Sequence, residues 1–257
     1  GLFQNCSSLA EVQIPETVAK IETKAFQNCT SLTQIILPPD LQTIESYAFQ
    51  GSGLEDIIIP NRCAGIGNYA FQNCTSLENA TISDSVGSVG KYLFDGCKKL
   101  RDVKLGTGLT EIPDYAFSNC PALESLILPY RITTIGRSVF LNDTAFVAVT
   151  IPRATTSISA NAFSYPDQLT IYGVAGTTAE TYAKEIGAKF VGIQKPVESI
   201  VLSQTTLSLM RGKSVQLTAS VTPADFTDVA AWKSSDPAVV TVDDNGMVKA
   251  VAAGTAT

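Results

Sequence analysis

Apolar positions along the first two thirds of the chain return on a fixed frame. Phe3, Phe26, Phe49, Phe71, Phe94, Phe117, Phe140 and Phe163 stand 22 or 23 residues apart. Around each the frame reads AFxxCxxLxxIxLPxxLxxIxxY, clearest at Ala25-Phe26 with Cys29, Leu32, Ile35, Leu37, Pro38, Leu41 and Ile44. In LxxIxL two apolar residues sit two apart, which is strand spacing, so the side chain between them faces outward. The Pro that follows lacks a backbone donor and ends the ladder strand. The next LxxI, at a spacing of three, suits a tight turn or 3₁₀ segment better than a second long strand. A period of this length marks one supersecondary unit that cannot bury its apolar face alone and must stack on copies of itself. The prediction is a solenoid of about eight coils, one parallel strand each, with the Phe rings forming a continuous spine.

After Phe163 the frame gives way to Leu169-Thr170-Ile171-Tyr172-Gly173 and then to a predicted short helix, Thr178 to Ile186, with Thr178 as N-cap and Gly187 as C-cap. A helical C-terminal cap is expected there, because an ordinary last coil would leave its apolar face open. Gln194-Lys195-Pro196 reads as a linker. From Val197 onward the pattern becomes period-two alternation, with strands expected over 200–202, 207–209, 215–221, 239–242 and 247–251 and a hairpin turn at Asp244-Asn245-Gly246. Trp232, the only tryptophan, is placed on a central strand. The expected plan is a repeat domain over 1–193, a linker over 194–196 and an all-β sandwich over 197–257.

The frame LxxIxL followed by PxxLxxIxxxAFxxC resembles the leucine-rich repeats of the BspA-like family of bacterial surface proteins, over about residues 1 to 165. Ala25-Phe26 with Cys29 and Pro38, Ala70-Phe71 with Cys74, and Ala116-Phe117 with Cys120 and Pro129 carry the match. Ser83 and Gly106 stand in for Pro, Leu93 and Val139 for Ala, and Ser52, Asp143 and Pro166 for Cys, which reads as tolerated drift. The run LTIYG, ETYAK and Phe190-Val191 is similar to the closing unit of the same family. Beyond the linker, GKSVQLTA, WKSSDP, VDDNGMV and AGTAT, in that order, resemble a bacterial immunoglobulin-like domain of the second group. That resemblance implies one more strand after AGTAT, so the sandwich is expected to be truncated at its last strand. With Gly1-Leu2-Phe3 entering in mid-repeat, the chain is expected to be a fragment or processed product of a larger protein. Both resemblances imply an exported protein, extracellular at the cell surface.

Charge and missing residue types narrow the function. A net charge of −6 and a pI near 4.7 supply no basic footprint for nucleic acid or anionic lipid. No apolar run is long enough to cross a membrane. Histidine is absent, which removes the commonest general base and metal ligand and the Ser-His and Cys-His nucleophile pairs. There is no GxxxxGKS/T loop, GxGxxG fingerprint or CxxC pair, so no cofactor and no catalytic residue is assigned. Asp243-Asp244-Asn245-Gly246 invites a Ca²⁺ reading, but a hairpin turn alone explains it and no metal site is assigned.

Cys6, Cys29, Cys74, Cys97 and Cys120 all stand three residues after a Phe, pointing inward in parallel. Coils ~4.8 Å apart bring their Cα atoms within disulfide range, while parallel Cβ vectors disfavour closing the bond. Buried free thiols are expected, with a Cys74–Cys97 or Cys97–Cys120 bridge, or metal or redox chemistry, as the alternatives. Cys63 takes the core position held by Leu41 and Ile132 in other coils.

Two exposed columns are candidate sites. Outward positions beside LxxIxL carry Glu11, Glu55, Asp56, Glu78, Asp102 and Glu124, and Ile36, Ile58 and Ile127 share that face. Adjacent coils hold some of these carboxylates ~5 Å apart, the separation of a retaining glycosidase, yet an open ladder has no enclosure to split their pKa values. The face is either a solvated acidic surface or a binding surface for a basic patch. Glu55, Asp56, Glu78, Asp102 and Glu124 with Ile36 and Ile58 form the partner-binding set. The second column is Tyr47, Tyr69, Tyr92 and Tyr115, two residues before successive Phe positions. These rings either pack over the next coil or offer a stacking ladder to sugars or proteins. The BspA-like resemblance implies adhesion to host extracellular-matrix proteins or other bacteria. The expected function is non-enzymatic cell-surface recognition of a protein partner by the repeat stack, with a glycan-binding tyrosine ladder or a structural spacer as alternatives.

Overall fold

A computed structural model describes residues 1–193, 199–222 and 231–257. The chain divides into two compact units, Gly1–Gln194 and Lys195–Thr257. The proposed linker over 194–196 lies outside the described residues.

Every strand pairing in the first unit is parallel and in register with the neighbouring coil. One ladder runs through Asp56–Ile58, Asn79–Thr81 and Asp102–Lys104, and again through Ser125–Ile127, Ala148–Thr150, Thr170–Gly173 and Lys189–Gly192. Their middle residues turn inward: Ile57 aligns with Ala80 and Val103, and Leu126 with Val149 and Ile171. Where the LxxI spacing points to a tight turn, the structure adds a second ladder of two-residue strands. It comprises Lys20–Ile21, Thr43–Ile44, Gly65–Ile66 and Ser88–Val89, then Glu111–Ile112, Thr134–Ile135 and Ser157–Ile158. Stacking at the strand separation explains it, because even two extended residues find backbone partners in the coils on either side. Between the ladders the Pro corner closes as a turn, with Leu41, Cys63 and Ile132 N–H donating to the carbonyls of Pro38, Pro60 and Pro129 at 3.0–3.1 Å. Both ladders are interrupted once, the first between Asp102–Lys104 and Ser125–Ile127, the second between Ser88–Val89 and Glu111–Ile112.

The Phe spine is continuous. Successive rings from Phe3 to Phe163 stack with centroids 4.9–5.7 Å apart. Phe49, Phe71, Phe94, Phe117 and Phe140 are fully buried. Two residues beyond each of the first seven Phe the backbone turns through the left-handed region, at φ 58–64° for Asn5, Asn28, Asn73, Asn119 and Asn142 and at 67° and 78° for Gly51 and Gly96; after Phe163, Tyr165 stays at φ −127°. Asn and Gly share this position because they are the residues that reach such φ values at least cost.

The stack is closed by a helix, Thr178–Ile186, which buries Ala179, Tyr182 and Ala183. Its N-cap is Thr177 rather than Thr178, and Gly187 at φ 78° ends it. The Tyr182 ring lies 6.0 Å from Phe163, and burial pushes its phenol up to about 12.

In the second unit Ser199–Leu202 pairs antiparallel with Ala219–Thr222, while Met247–Ala250 lies between Ser214–Gln216 and Val240–Val242. The single strand expected over 215–221 therefore splits between two sheets, the chain crossing at Leu217, whose N–H donates to Gly246. Residues 207–209 form no strand, and Trp232 lies outside the strands. Its indole instead covers Gly246, where a Cβ would come within 2.9 Å of the ring. Asp243 Oδ1 accepts from the N–H groups of Asn245 and Met247, both at 2.9 Å, so this carboxylate closes its own turn.

Candidate functional site

On the outward face of the first ladder the predicted acidic residues fall into two columns. Asp56 aligns with Asn79 and Asp102, and Asn79 Nδ2 donates to Asp56 Oδ1 at 2.6 Å. One position earlier stand Glu55, Glu78, Arg101 and Glu124. Arg101 Nη2 lies 2.6 Å from Glu78 Oε2 and Lys99 Nζ 3.7 Å from its Oε1. The acidic set is thus not a uniform carboxylate field, because in-register stacking pairs a residue with the one 23 positions on. Listing the outward acids alone missed those cations, although Lys98, Lys99, Arg101 and Lys104 form a visible run. Ile36 and Ile58 are 88% and 71% exposed, and Thr81 and Lys104 follow Ile58 in register before Ile127 restores an apolar side chain. At the interruption of the first ladder an open depression of about 560 Å³ is lined by Lys98, Lys99, Arg101, Asp102, Glu124 and Ser125, among others.

The tyrosine column is tightly ordered. Tyr47, Tyr69, Tyr92 and Tyr115 stack with centroids 4.6–4.8 Å apart and planes within 2–11°. All four sit at φ 58–62°, a conformation that costs an L-residue about 1–2 kcal/mol. Each is held there by its backbone N–H, which donates to a carbonyl of the next coil at 2.9–3.1 Å. Lys24 Nζ lies 5.7 Å from the Tyr47 ring centroid, over one end of the stack. The ring faces on which a sugar would stack are largely taken by the neighbouring tyrosines.

Beside this column runs an amide ladder that was not recognised from the sequence. Gln4 Nε2 donates to Gln27, Gln27 to Gln50, Gln50 to Gln72, and Gln72 Nε2 reaches Asp95 Oδ2 at 2.8 Å. From the other side Asn142 donates to Asn119, and Asn119 and Ser118 both donate to Asp95 Oδ1, at 2.7 and 2.6 Å. Hydrogen bonds to a charged acceptor outweigh neutral ones, so Asp95→Ala is expected to cost about 2 kcal/mol in urea unfolding. Asp95→Asn should recover only part of that loss, and an unchanged midpoint for Asp95→Ala would show that the convergence is not stabilising.

The cysteine column lies in the core, apart from exposed Cys6. Cys29, Cys74, Cys97 and Cys120 each donate from Sγ to the Phe carbonyl of the preceding coil at 3.1–3.2 Å. Burial pushes the Cys74 thiol up to about 11 and those of Cys97 and Cys120 well above their ordinary value, so none is primed as a nucleophile. The residues that depart from this column behave differently. Ser52 Oγ lies 3.3 Å from Cys74 Sγ and keeps a polar contact, whereas Pro166 begins a 3₁₀ segment, Pro166–Gln168, ahead of the cap. Asp143 is 1% exposed; its Oδ1 accepts the Cys120 N–H at 2.6 Å and its Oδ2 has no hydrogen-bond partner among the described residues. Desolvation pushes this carboxyl up to about 8.

Comparison with known proteins fits this geometry. The family model for the BspA type leucine rich repeat region matches in 6 copies, over residues 1–101 and 65–179. That for the bacterial Ig-like domain, group 2, matches residues 196–257. A leucine-rich repeat protein from Bacteroides ovatus superposes with a TM-score of 0.52 at 28% identity, covering 66% of this chain and 51% of that one. A lacto-N-biosidase from Bifidobacterium bifidum is 54% identical over 50 residues, 20% of this chain and 4% of that enzyme. An uncharacterized protein from Clostridium acetobutylicum is 35% identical over 83 residues, 27% of this chain and 21% of its own length. The chain spans between 4% and 21% of the length of the curated relatives it matches. No helix among the described residues is long and apolar enough to cross a membrane.

Proposed function

This chain belongs to the BspA-type leucine-rich-repeat family, and from that premise we propose that it is a non-enzymatic, extracellular recognition protein whose repeat stack adheres to a protein partner. Host extracellular matrix or another bacterial surface is the class of partner, and the Ig-like domain serves as a spacer. The observation that carries this reading is the pair Ile36 and Ile58, 88% and 71% exposed at the same frame position of successive coils, Ile58 in the strand that Glu55 and Asp56 lead into. Large apolar side chains held in water on a rigid surface, rimmed by charge, supply what a protein hot spot needs. The charges add steering and register. Asp102, Glu78 and Glu124 extend the contact along the stack, with Arg101 and Lys99 setting a mixed rather than purely acidic character.

The test is binding of the immobilised full chain to a panel of extracellular-matrix proteins, alongside a glycan array. A variant carrying Ile36→Ser and Ile58→Ser with Glu55→Ala and Asp56→Ala is expected to lose at least about tenfold in affinity, and binding should weaken with salt. Unchanged affinity in that variant would remove this face from the interface. Retention on glycans that disappears in Tyr69→Ala/Tyr92→Ala would move the site to the tyrosine column.

A further inference from the structure

We propose that the Tyr47–Tyr69–Tyr92–Tyr115 column is a site of oxidative cross-linking, at which peroxidase-activated hydrogen peroxide joins rings of neighbouring coils as dityrosine. Phenols are among the side chains most readily oxidised by one electron. The competing groups in this unit are largely withdrawn: Cys29, Cys63, Cys74, Cys97 and Cys120 are buried, and the only tryptophan, Trp232, lies in the other unit. Coupling requires two phenoxyl radicals in contact, and tyrosines on most surfaces meet only by collision. Here adjacent rings are already parallel at 4.6–4.8 Å, in four successive coils. The left-handed backbone and the bond from each Tyr N–H to the next coil hold that arrangement. All four side chains remain partly exposed, within reach of a diffusing oxidant.

In the reaction each of two phenols loses a proton and an electron. The two ring radicals form one C–C bond between carbons ortho to the ring oxygens, and the ortho protons then move to those oxygens, which restores both phenols. The peroxide takes up the two electrons and two protons, and its O–O bond breaks to leave two waters. The product is a covalent staple between consecutive coils, closing a loop of 22 or 23 residues as a disulfide would.

The experiment treats the full chain, with exposed Cys6 alkylated, with peroxidase and hydrogen peroxide at low protein concentration. Dityrosine is read by fluorescence, the loss of two hydrogens per link by intact mass, and the linked residues by peptide sequencing. The expected result is links within one chain, confined to Tyr47–Tyr69, Tyr69–Tyr92 and Tyr92–Tyr115, and a raised Tm. Tyr69→Phe/Tyr92→Phe keeps the aromatic stack but leaves no two neighbouring phenols. It should retain the wild-type circular dichroism and lose the intramolecular product. Links that form equally in that variant, that join separate molecules, or that involve 40%-exposed Tyr165 as often as the column would overturn the proposal, as would the absence of any link.

Discussion

Replacing Phe94 by Ala is expected to cost about 3–5 kcal/mol, the range for emptying a fully buried aromatic site. Phe94 stacks on Phe71 at 5.6 Å and on Phe117 at 5.7 Å, and it is wholly buried. In a stack whose stability is a sum of coil terms and nearest-neighbour interfaces, a cavity at a central coil weakens two interfaces at once. Urea unfolding of Phe94→Ala should therefore lose cooperativity as well as free energy, with the N-terminal coils separating from the C-terminal ones. Phe3→Ala is the control, because Phe3 is only partly buried and has one stacking neighbour, Phe26. Equal costs for the two variants would show that the spine is not the coupling element.

Asp143→Cys should have the opposite sign: a gain of about 2–4 kcal/mol at pH 7–8 that shrinks toward zero near pH 4. Asp143 occupies the buried cysteine column, and desolvation raises its carboxyl from 3.8 to about 8. The backbone N–H of Cys120 works against that shift, and the charge of Asp95 adds to it. In the unfolded chain the group ionises at its ordinary value, so folding at neutral pH must take up a proton. Stability associated with Asp143 is thus complete below pH 3.8, falls as pH rises toward 8 and is level above that. Cysteine has no such linkage at these pH values and restores the thiol that Cys120 places at this position in the preceding coil. Thermal unfolding of both proteins from pH 4 to pH 8.5 decides it, at roughly 2–4 °C per kcal/mol for a domain of this size. A gap between them that stays constant with pH would mean that Asp143 is not held neutral in the fold.

The fold was legible because a solenoid writes its core into the sequence once per coil. Phe, Leu, Ile and Cys recur at fixed offsets, and an inward position in one coil is inward in the next. What escaped was the set of relations between coils. Gln72 and Asp95 are 23 residues apart and look unrelated in a linear reading, yet they share a hydrogen bond, and Glu78 and Arg101 likewise share an ion pair. Asp143 read as drift equivalent to Ser52, although only an inventory of partners separates a small hydroxyl that finds a thiol from a carboxylate with an unpaired oxygen. The spacing of the tyrosines is visible in the sequence, and their rings stack. Their left-handed backbone could not be foreseen, because Tyr carries no intrinsic preference for that region and only the neighbouring coil holds it there. In the second unit the alternation through 215–221 was read as one strand, since periodicity is blind to a chain that changes sheets at Leu217.

The glutamine ladder gives the first coils a direction that ends at Asp95. Along the first coils every glutamine passes its hydrogen bond forward, toward the C-terminus; in the asparagine column one residue further on the bonds pass backward, from Asn28 to Asn5 and from Asn142 to Asn119. The two columns meet at Asp95, whose two carboxyl oxygens accept from Gln72 on one side and from Ser118 and Asn119 on the other. Asp95 is therefore a boundary marker, and the coil bearing it has one proper place in the order. Moved elsewhere by recombination, it would set an acceptor where an amide donor is needed and leave an unanswered junction behind. Coils that look interchangeable by their Phe, Leu and Ile are thus told apart by the residue that follows each Phe.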